Sequence, residues 1–587
     1  MKHRPLLRQS FVSLAIIAAA SPVFAQAIPS PPPPGVILRD LAPPVLPRLS
    51  PSLPSPPITP RPVTADVERA PVVETVVSGN GAIDTARLRP LVAGLEGRTV
   101  TTEEIEDARV ALLTYYRQAG YPFLSVTASP QPIAGGFRIQ FTILEGRIAR
   151  ARLDGDIGPA GTRVLRFLNV AVTPGPTTRY RLERALLLAG DVPGVTVRGV
   201  LRPLEGGAPG ELELVGEVTR AAFSGLVTGD NRGFRLTGPV QFLTVGQANS
   251  FTSLGERTEA AFFSSAGGES LFGQASTEFF VGGSGLRIRL YAGAGRTAPS
   301  GTLAAIGYSA FTRTAGAAVS YPIIRSRSAN LIAGVQFDLY ESIVDTGVEQ
   351  PARASRDSLR VVRGGLDGQY LDSVLPLAGA ATSIGNIRFH QGINGLGATR
   401  PSDLPGPARQ GSEFGFVKVT GEFQRTQPLF HLGENMLVSL QATVAGQWTD
   451  NVLPSSEKFF LGGTRLGRGF YVGQVSGDRA VAFSAEAQLD VGLPQVSLSP
   501  LNGSPFTLRS EAQFYAFYDA GRTYENLVTD PNRRLESWGA GVRMRFNNAI
   551  FLDVEGVHRI TRQVDAGGAA VRPLPADAAY LRLMTRF

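Results

Sequence analysis

The last eight residues, YLRLMTRF (Tyr580 to Phe587), put Leu581, Leu583 and Phe587 on one side of an extended backbone and Arg582 and Arg586 on the other. Successive side chains of a strand point to opposite faces, so such a segment separates an apolar medium from water. The pattern recurs upstream. Val438, Leu440, Ala442, Val444 and Trp448 alternate with Ser439, Gln441, Thr443 and Gln447; Trp538, Ala540, Val542, Met544 and Phe546 alternate with Gly539, Gly541, Arg543 and Arg545. From Ala221 to Phe587 helical periodicity gives way to two-faced segments separated by Gly, Asp, Asn and Pro. At about 23 residues per strand and connection this region predicts about 16 strands.

A soluble β-sandwich alternates in the same way, so location arbitrates. MKHRPLLRQS is basic, Phe11 to Ala20 is apolar, and Val23-Phe24-Ala25 is a small-residue cleavage site, which predicts a secretory signal peptide over 1–25. A secreted, cysteine-free chain of two-faced segments with a terminal aromatic fits a transmembrane antiparallel β-barrel, lipid outside and water inside.

Composition removes other classes. The four histidines, His3, His390, His431 and His558, have no metal-ligand spacing, so no metal site is expected. The net charge of +8 comes from arginines scattered singly, Lys2, Lys418 and Lys458 being the only lysines, which argues against nucleic acid as a partner. With no P-loop and no nucleophile elbow, no catalytic residue and no cofactor is expected, and the chain does not read as an enzyme.

Residues 26–70 are proline-rich and read as a periplasmic tether. Two units of one order follow, over 71–146 and 147–220. The first predicts a strand Val72 to Val77, a short helix near Ala82 to Ala93, a helix Thr102 to Ala119 and strands Phe123 to Ala128 and Phe137 to Leu144. Thr101-x-x-Glu104 is a capping box for the long helix, whose stripe Ile105, Ala108, Leu112, Tyr116, Ala119 should be buried and which should stop at Gly120. The second predicts Ile148 to Leu153, helices near Thr162 to Leu168 and Tyr180 to Ala189, then Val195 to Leu201 and Glu211 to Val218. Strand, two helices and two strands, repeated, is an internal duplication. A small sheet with a free edge suits docking of an extended chain, a mere spacer being the alternative.

LEGRTVTTEEI (Leu95 to Ile105), YRQAGYP (Tyr116 to Pro122), ILEGRI (Ile143 to Ile148) and DVPGVTVRGVLRPLEGGAPGELEL (Asp191 to Leu214) resemble the two POTRA domains of two-partner secretion transporters, the TpsB or ShlB/FhaC/HecB family of haemolysin secretion/activation proteins. The resemblance implies partner docking around Gly120, Tyr121 and Gly146. It extends into the barrel region 221–587. Asp230-Asn231 with Gly233 is similar to the stretch that opens the family's barrel, and Lys458 to Asp478, KFFLGGTRLGRGFYVGQVSGD, resembles its inward-folded sixth extracellular loop. Phe517-Tyr518-Asp519-Ala520-Gly521 matches the family's F-x-D-x-G wall motif.

Strand parity supplies the loop with partners. Phe483, Ala485, Ala487, Leu489 and Val491 take the apolar face, leaving Glu486, Gln488 and Asp490 on the lumen side; Ala512, Phe514, Ala516 and Tyr518 face out while Gln513, Phe517 and Asp519 face in. The resemblance then implies that Arg468 of Arg468-Gly469-Phe470 locks onto Asp519, with Gly462 and Gly463 letting the loop turn down the lumen. A brace for the barrel is the competing role. The family usually has a β-branched residue before this arginine, whereas Gly467 stands here, which should loosen the loop locally. Many members carry an N-terminal plug helix, for which this chain has room only near Val36 to Leu41.

By resemblance the chain is expected to take up an unfolded cognate exoprotein by its N-terminal secretion domain and pass it through the barrel, to fold outside into a β-helix. Outer-membrane lipid and, during biogenesis, the barrel assembly machinery are its other expected partners. A barrel-assembly factor of the same superfamily, or a passive porin or receptor, are the rival readings.

Overall fold

The computed structural model describes residues 32–41, 49, 69–375, 377–498, 506–547, 549–564 and 573–587; the expected signal peptide over 1–25 and most of the proline-rich segment lie outside them. The first α+β unit forms a four-stranded sheet ordered Arg98–Thr101, Arg69–Ser78, Gly136–Glu145, Leu124–Ile133. Its helix Thr102–Gln118 has the expected capping box, the Thr101 hydroxyl accepting from Glu104 N while the Glu104 carboxylate accepts from Thr101 N. Ile105, Ala108, Leu112 and Tyr116 are buried against Ile139 and Phe141, whereas Ala119 lies past the helix end and is exposed. The short strand Arg98–Thr101 has no counterpart in the expected order. Too short for a period of two to register, it exists through its antiparallel pairing with Arg69–Val72.

The second unit is ordered Arg147–Asp154, Glu211–Arg220, Val195–Pro203, with helices Ala160–Leu168 and Arg179–Gly190 packed on one face. In both units the first strand pairs in parallel with the last, which lies between the first and the penultimate strand, and both carry an irregularity near the start of that pairing, at Val72/Glu74 and Ile148/Arg150. The duplication thus extends to topology and register.

Sixteen antiparallel strands then close into a barrel, from Phe223–Asp230 round to Asp577–Arg586, which pairs back onto Leu226–Asp230. Closure leaves no edge strand in the membrane, where an unpaired backbone amide has no water to turn to. Parity holds along the wall: Leu581, Leu583, Trp538, Trp448 and Phe514 are exposed on the outer surface, and Glu486, Asp519, Ser439 and Thr443 are buried inside. The end that carries the two α+β units has the tight turns 282–285, 326–328 and 432–435, and the long connections 393–416 and 449–478 lie at the opposite end. A helix, Pro34–Leu41, sits inside the barrel, with Ile37 and Leu41 packed on Leu243, Val245, Phe263 and Phe272 of the wall.

Candidate functional site

The loop between strands Met436–Trp448 and Arg479–Gly492 folds into the lumen around a small hairpin, Phe459–Leu461 with Val475–Gly477. Gly467 has φ +74°, a conformation that a β-branched residue adopts only under strain, and the turn it makes is closed by Phe470 N donating to Gly467 O at 3.0 Å. Gly467 therefore builds a hydrogen-bonded tight turn instead of loosening the loop. At Gly469 the loop backbone is pressed on the wall, where a Cβ would lie 2.5 Å from that of Ser537.

Arg468 ends at a buried set of wall groups. Its Nε and Nη2 donate to Asp519 at 3.1 and 2.9 Å, its backbone N donates to the same carboxylate at 2.8 Å, Nη2 also reaches Ser484 Oγ at 2.9 Å, and Nη1 meets Glu486. The guanidinium plane lies 3.7 Å over the Phe517 ring. A planar fork holding one carboxylate through two nitrogens while stacked on a ring is geometry open to arginine and closed to lysine. Glu486 is shared with Arg543, which donates to its two oxygens at 2.6 and 3.0 Å, so two arginines meet two carboxylates and the buried charge balances.

The rest of the motif is held as firmly. Gly469 N donates to Ser537 Oγ at 3.2 Å, and Gly469 O accepts from Arg559 Nε at 2.5 Å and Tyr580 OH at 3.2 Å. Phe470 is fully buried with Leu461, Val475, Ala482 and Leu535. Gly462 N donates to Leu466 O at 3.1 Å, Gly463 N donates to Phe470 O at 3.2 Å, and Gly521 of the wall lies against Leu461.

Parity reading found Asp519, Glu486 and Phe517 but missed Ser484, Ser537, Arg559 and Tyr580. It also missed the second Arg-Gly-aromatic copy, Arg232-Gly233-Phe234, as a lumen element. Arg232 is buried, pairs with Glu555 at 2.6 Å, lies 4.0 Å over the Tyr580 ring and donates to Gly463 O at 3.3 Å. Its signal was the repeated motif itself. The internal helix is tied to the same loop, because Thr464 N and Oγ1 donate to Asp40 Oδ1 at 2.8 and 2.9 Å, while Arg582 donates to Leu41 O at the helix end.

Of the docking positions, Gly120 and Gly146 lie at the seam between the α+β units. Gly120 O accepts from Arg179 N at 2.9 Å and Gly146 O from Thr177 N at 3.1 Å, while Tyr121 packs on the first core, its ring 6.0 Å from that of Tyr116. Beside the seam, Pro122, Phe123, Leu182, Leu186, Leu201 and Leu214 line an apolar groove along the edge strand Val195–Pro203. Among the described residues no group of three or more His, Asp or Glu could hold a metal ion.

A sixteen-stranded barrel with an arginine-tipped loop locked inside it, carried behind two α+β units with exposed edges, defines an outer-membrane transporter of the POTRA-plus-barrel superfamily. The comparisons narrow the class. The chain belongs to the family of haemolysin secretion/activation proteins ShlB/FhaC/HecB, whose model matches residues 219–544, and the ShlB-type POTRA domain matches residues 70–146. It is 22% identical over 515 residues, 84% of each chain, to the heme/hemopexin transporter protein HuxB of Haemophilus influenzae. In structure it is similar to CdiB from Escherichia coli (TM-score 0.67, 18% identity, 91% of this chain and 94% of that one) and to CdiB from Acinetobacter baumannii (0.60, 15%, 92% and 95%). The chain is a two-partner secretion transporter of the bacterial outer membrane, its POTRA region in the periplasm, and a secreted exoprotein is its partner.

Proposed function

We propose that the Arg468–Asp519 lock holds the loop in the conformation that transport needs, and that the periplasmic units deliver the unfolded secretion domain of one cognate exoprotein to it. The observation that carries this reading is the charge-balanced burial of Arg468 against Asp519 and Glu486, with the loop tied in turn to the helix inside the lumen. Asp40 accepts from the loop and Arg582 binds the helix end, so withdrawal of the plug and movement of the loop are coupled. The exoprotein would add as a strand to the exposed edge Val195–Pro203, with apolar side chains in the groove beside it, reaching there past Gly120, Tyr121 and Gly146. Folding into a β-helix outside supplies direction, since a segment that is stable only after exit does not slide back. The chain has no enzymatic step in this scheme, and its own insertion calls on the barrel assembly machinery. The test is export of the exoprotein by Arg468→Ala and Asp519→Ala variants whose membrane level and heat-modifiability match the parent. Normal export by both removes the lock from the mechanism, and loss of the folded barrel in both makes Arg468 a brace.

A further inference from the structure

We infer that Arg409 is the positioning residue for the outer end of the transport loop, and that the segment 393–416 which carries it closes the outer mouth of the lumen and must lift for export. The inference rests on the transport reading above and adds the exit to it.

The segment 393–416 joins strands Ala381–Gly392 and Val417–His431 at the end away from the POTRA units. On one side it is stitched to the strand Ala352–Asp372. Ser358 N donates to Thr399 Oγ1 at 2.8 Å, Arg356 N to Gly406 O at 3.1 Å, and Ala408 N to the buried Asp357 carboxylate at 2.9 Å. On the other side Glu413 N donates to Val452 O of the transport loop at 2.8 Å, and Phe414 and Phe416 pack with Leu359, Val361 and Leu453. Ala408 together with Ser455 and Ser456 lines a cavity bounded on its other sides by the plug at Pro34 and Ile37 and by wall residues that include Tyr340. A chain leaving that space outward has to pass the segment.

Arg409 is the fastening. Its buried guanidinium binds Asp478, the last residue of the loop, at 2.7 and 3.0 Å, Glu525 at 2.9 Å and Asp530 at 3.1 Å in the next outer loop, and Leu453 O at 2.8 Å. Lys458 near the start of the transport loop shares Glu525 at 2.6 Å. One side chain thus joins three outer connections. Without it, three carboxylates face one another with Lys458 as the remaining cation of the group, and their repulsion pushes the connections apart. Lysine in its place keeps the charge but cannot serve three carboxylates and a carbonyl at once.

Two measurements on the full-length protein test this. In planar lipid bilayers without exoprotein, Arg409→Ala should raise open-state conductance several-fold over the parent, with Arg409→Lys between them and all three heat-modifiable. This arm needs no partner, so it separates closure from the transport reading. The chain has no cysteine, so a Glu413→Cys/Val452→Cys pair tethers the segment to the loop without touching Arg409. Oxidised, it should stop export, and reductant should restore it. Parent-level conductance of Arg409→Ala, or undiminished export through the fully oxidised tether, overturns the inference. If Arg409→Ala fails to insert, Asp530→Asn, which releases one of the three carboxylates, replaces it in the first arm with an intermediate rise expected.

Discussion

Arg468 carries one positive charge yet touches two buried carboxylates, and only the second arginine, Arg543, makes that arrangement affordable electrostatically. Removing one member of such a set strands an opposite charge in the wall, a loss on the order of 3–5 kcal/mol. Arg468→Ala and Asp519→Ala should each stop export, and the double variant should be little worse than either, because the two act as one unit. Export assays with membrane levels matched check this, and strict additivity of partial defects would count against the lock. Gly467→Val, which restores the family's usual residue type, should impair the loop here by roughly 1–2 kcal/mol, since its φ of +74° suits glycine. Protease sensitivity of the loop in intact cells reads that out. Asp519 and Glu486 were legible from sequence because parity needs only a strand and its period. Ser537, Arg559 and Tyr580 were not, because they come beside Asp519 through the pairing register of the next strands, Asp519 opposite Ser537 and Ser537 opposite Arg559, which no local pattern gives.

At the scale of the element, local signals decided the POTRA helix and tertiary contacts decided the plug. The box at Thr101 and Glu104 marks the helix start in the sequence and in the fold alike. Hydrogen bonding by Thr101 N first, then Arg98, holds the Glu104 carboxylate below its ordinary value. A carboxylate depressed on folding stabilises above its unfolded pKa of about 4.3 and loses that contribution as pH falls through the folded value. Glu104→Ala, which removes that carboxylate, should therefore lower the thermal stability of the periplasmic region at pH 7. The difference from the parent should shrink at low pH in melts followed by circular dichroism. The plug helix has eight residues, too few to hold on propensity alone, so its site inside the barrel comes from Leu41, Ile37 and the Asp40–Thr464 bonds. Asp40→Ala should raise basal conductance without altering the barrel, and an unchanged trace would mean the apolar contacts suffice.

For the whole molecule, the question is which parts move together. The second POTRA unit is fastened to the barrel: Asp191 binds Arg325 at 2.6 Å and Arg287 at 3.2 Å, Arg184 donates to Ser284 O and Pro322 O at 3.0 Å, and the Phe167 and Phe280 rings meet edge to face at 5.1 Å. The first unit joins the second through backbone bonds at Gly120 and Gly146. The fastening holds the edge Val195–Pro203 against the periplasmic end of the barrel. Deleting residues 72–144 takes Gly120, Tyr121 and the groove residues Pro122 and Phe123 from the docking site, so it should abolish binding of the exoprotein's secretion domain yet leave an inserted, heat-modifiable barrel, because no core contact of the barrel depends on that unit. Asp191→Ala should do the opposite, preserving binding but slowing export as the second unit loosens. Spin labels at introduced cysteines, one in each body, should show a broadened distance distribution for Asp191→Ala and a narrow one for the parent. Equal distributions would show that Asp191 does not fix the second unit, and export unaffected by either change would show that neither the first unit nor the fastening of the second is needed to feed the pore.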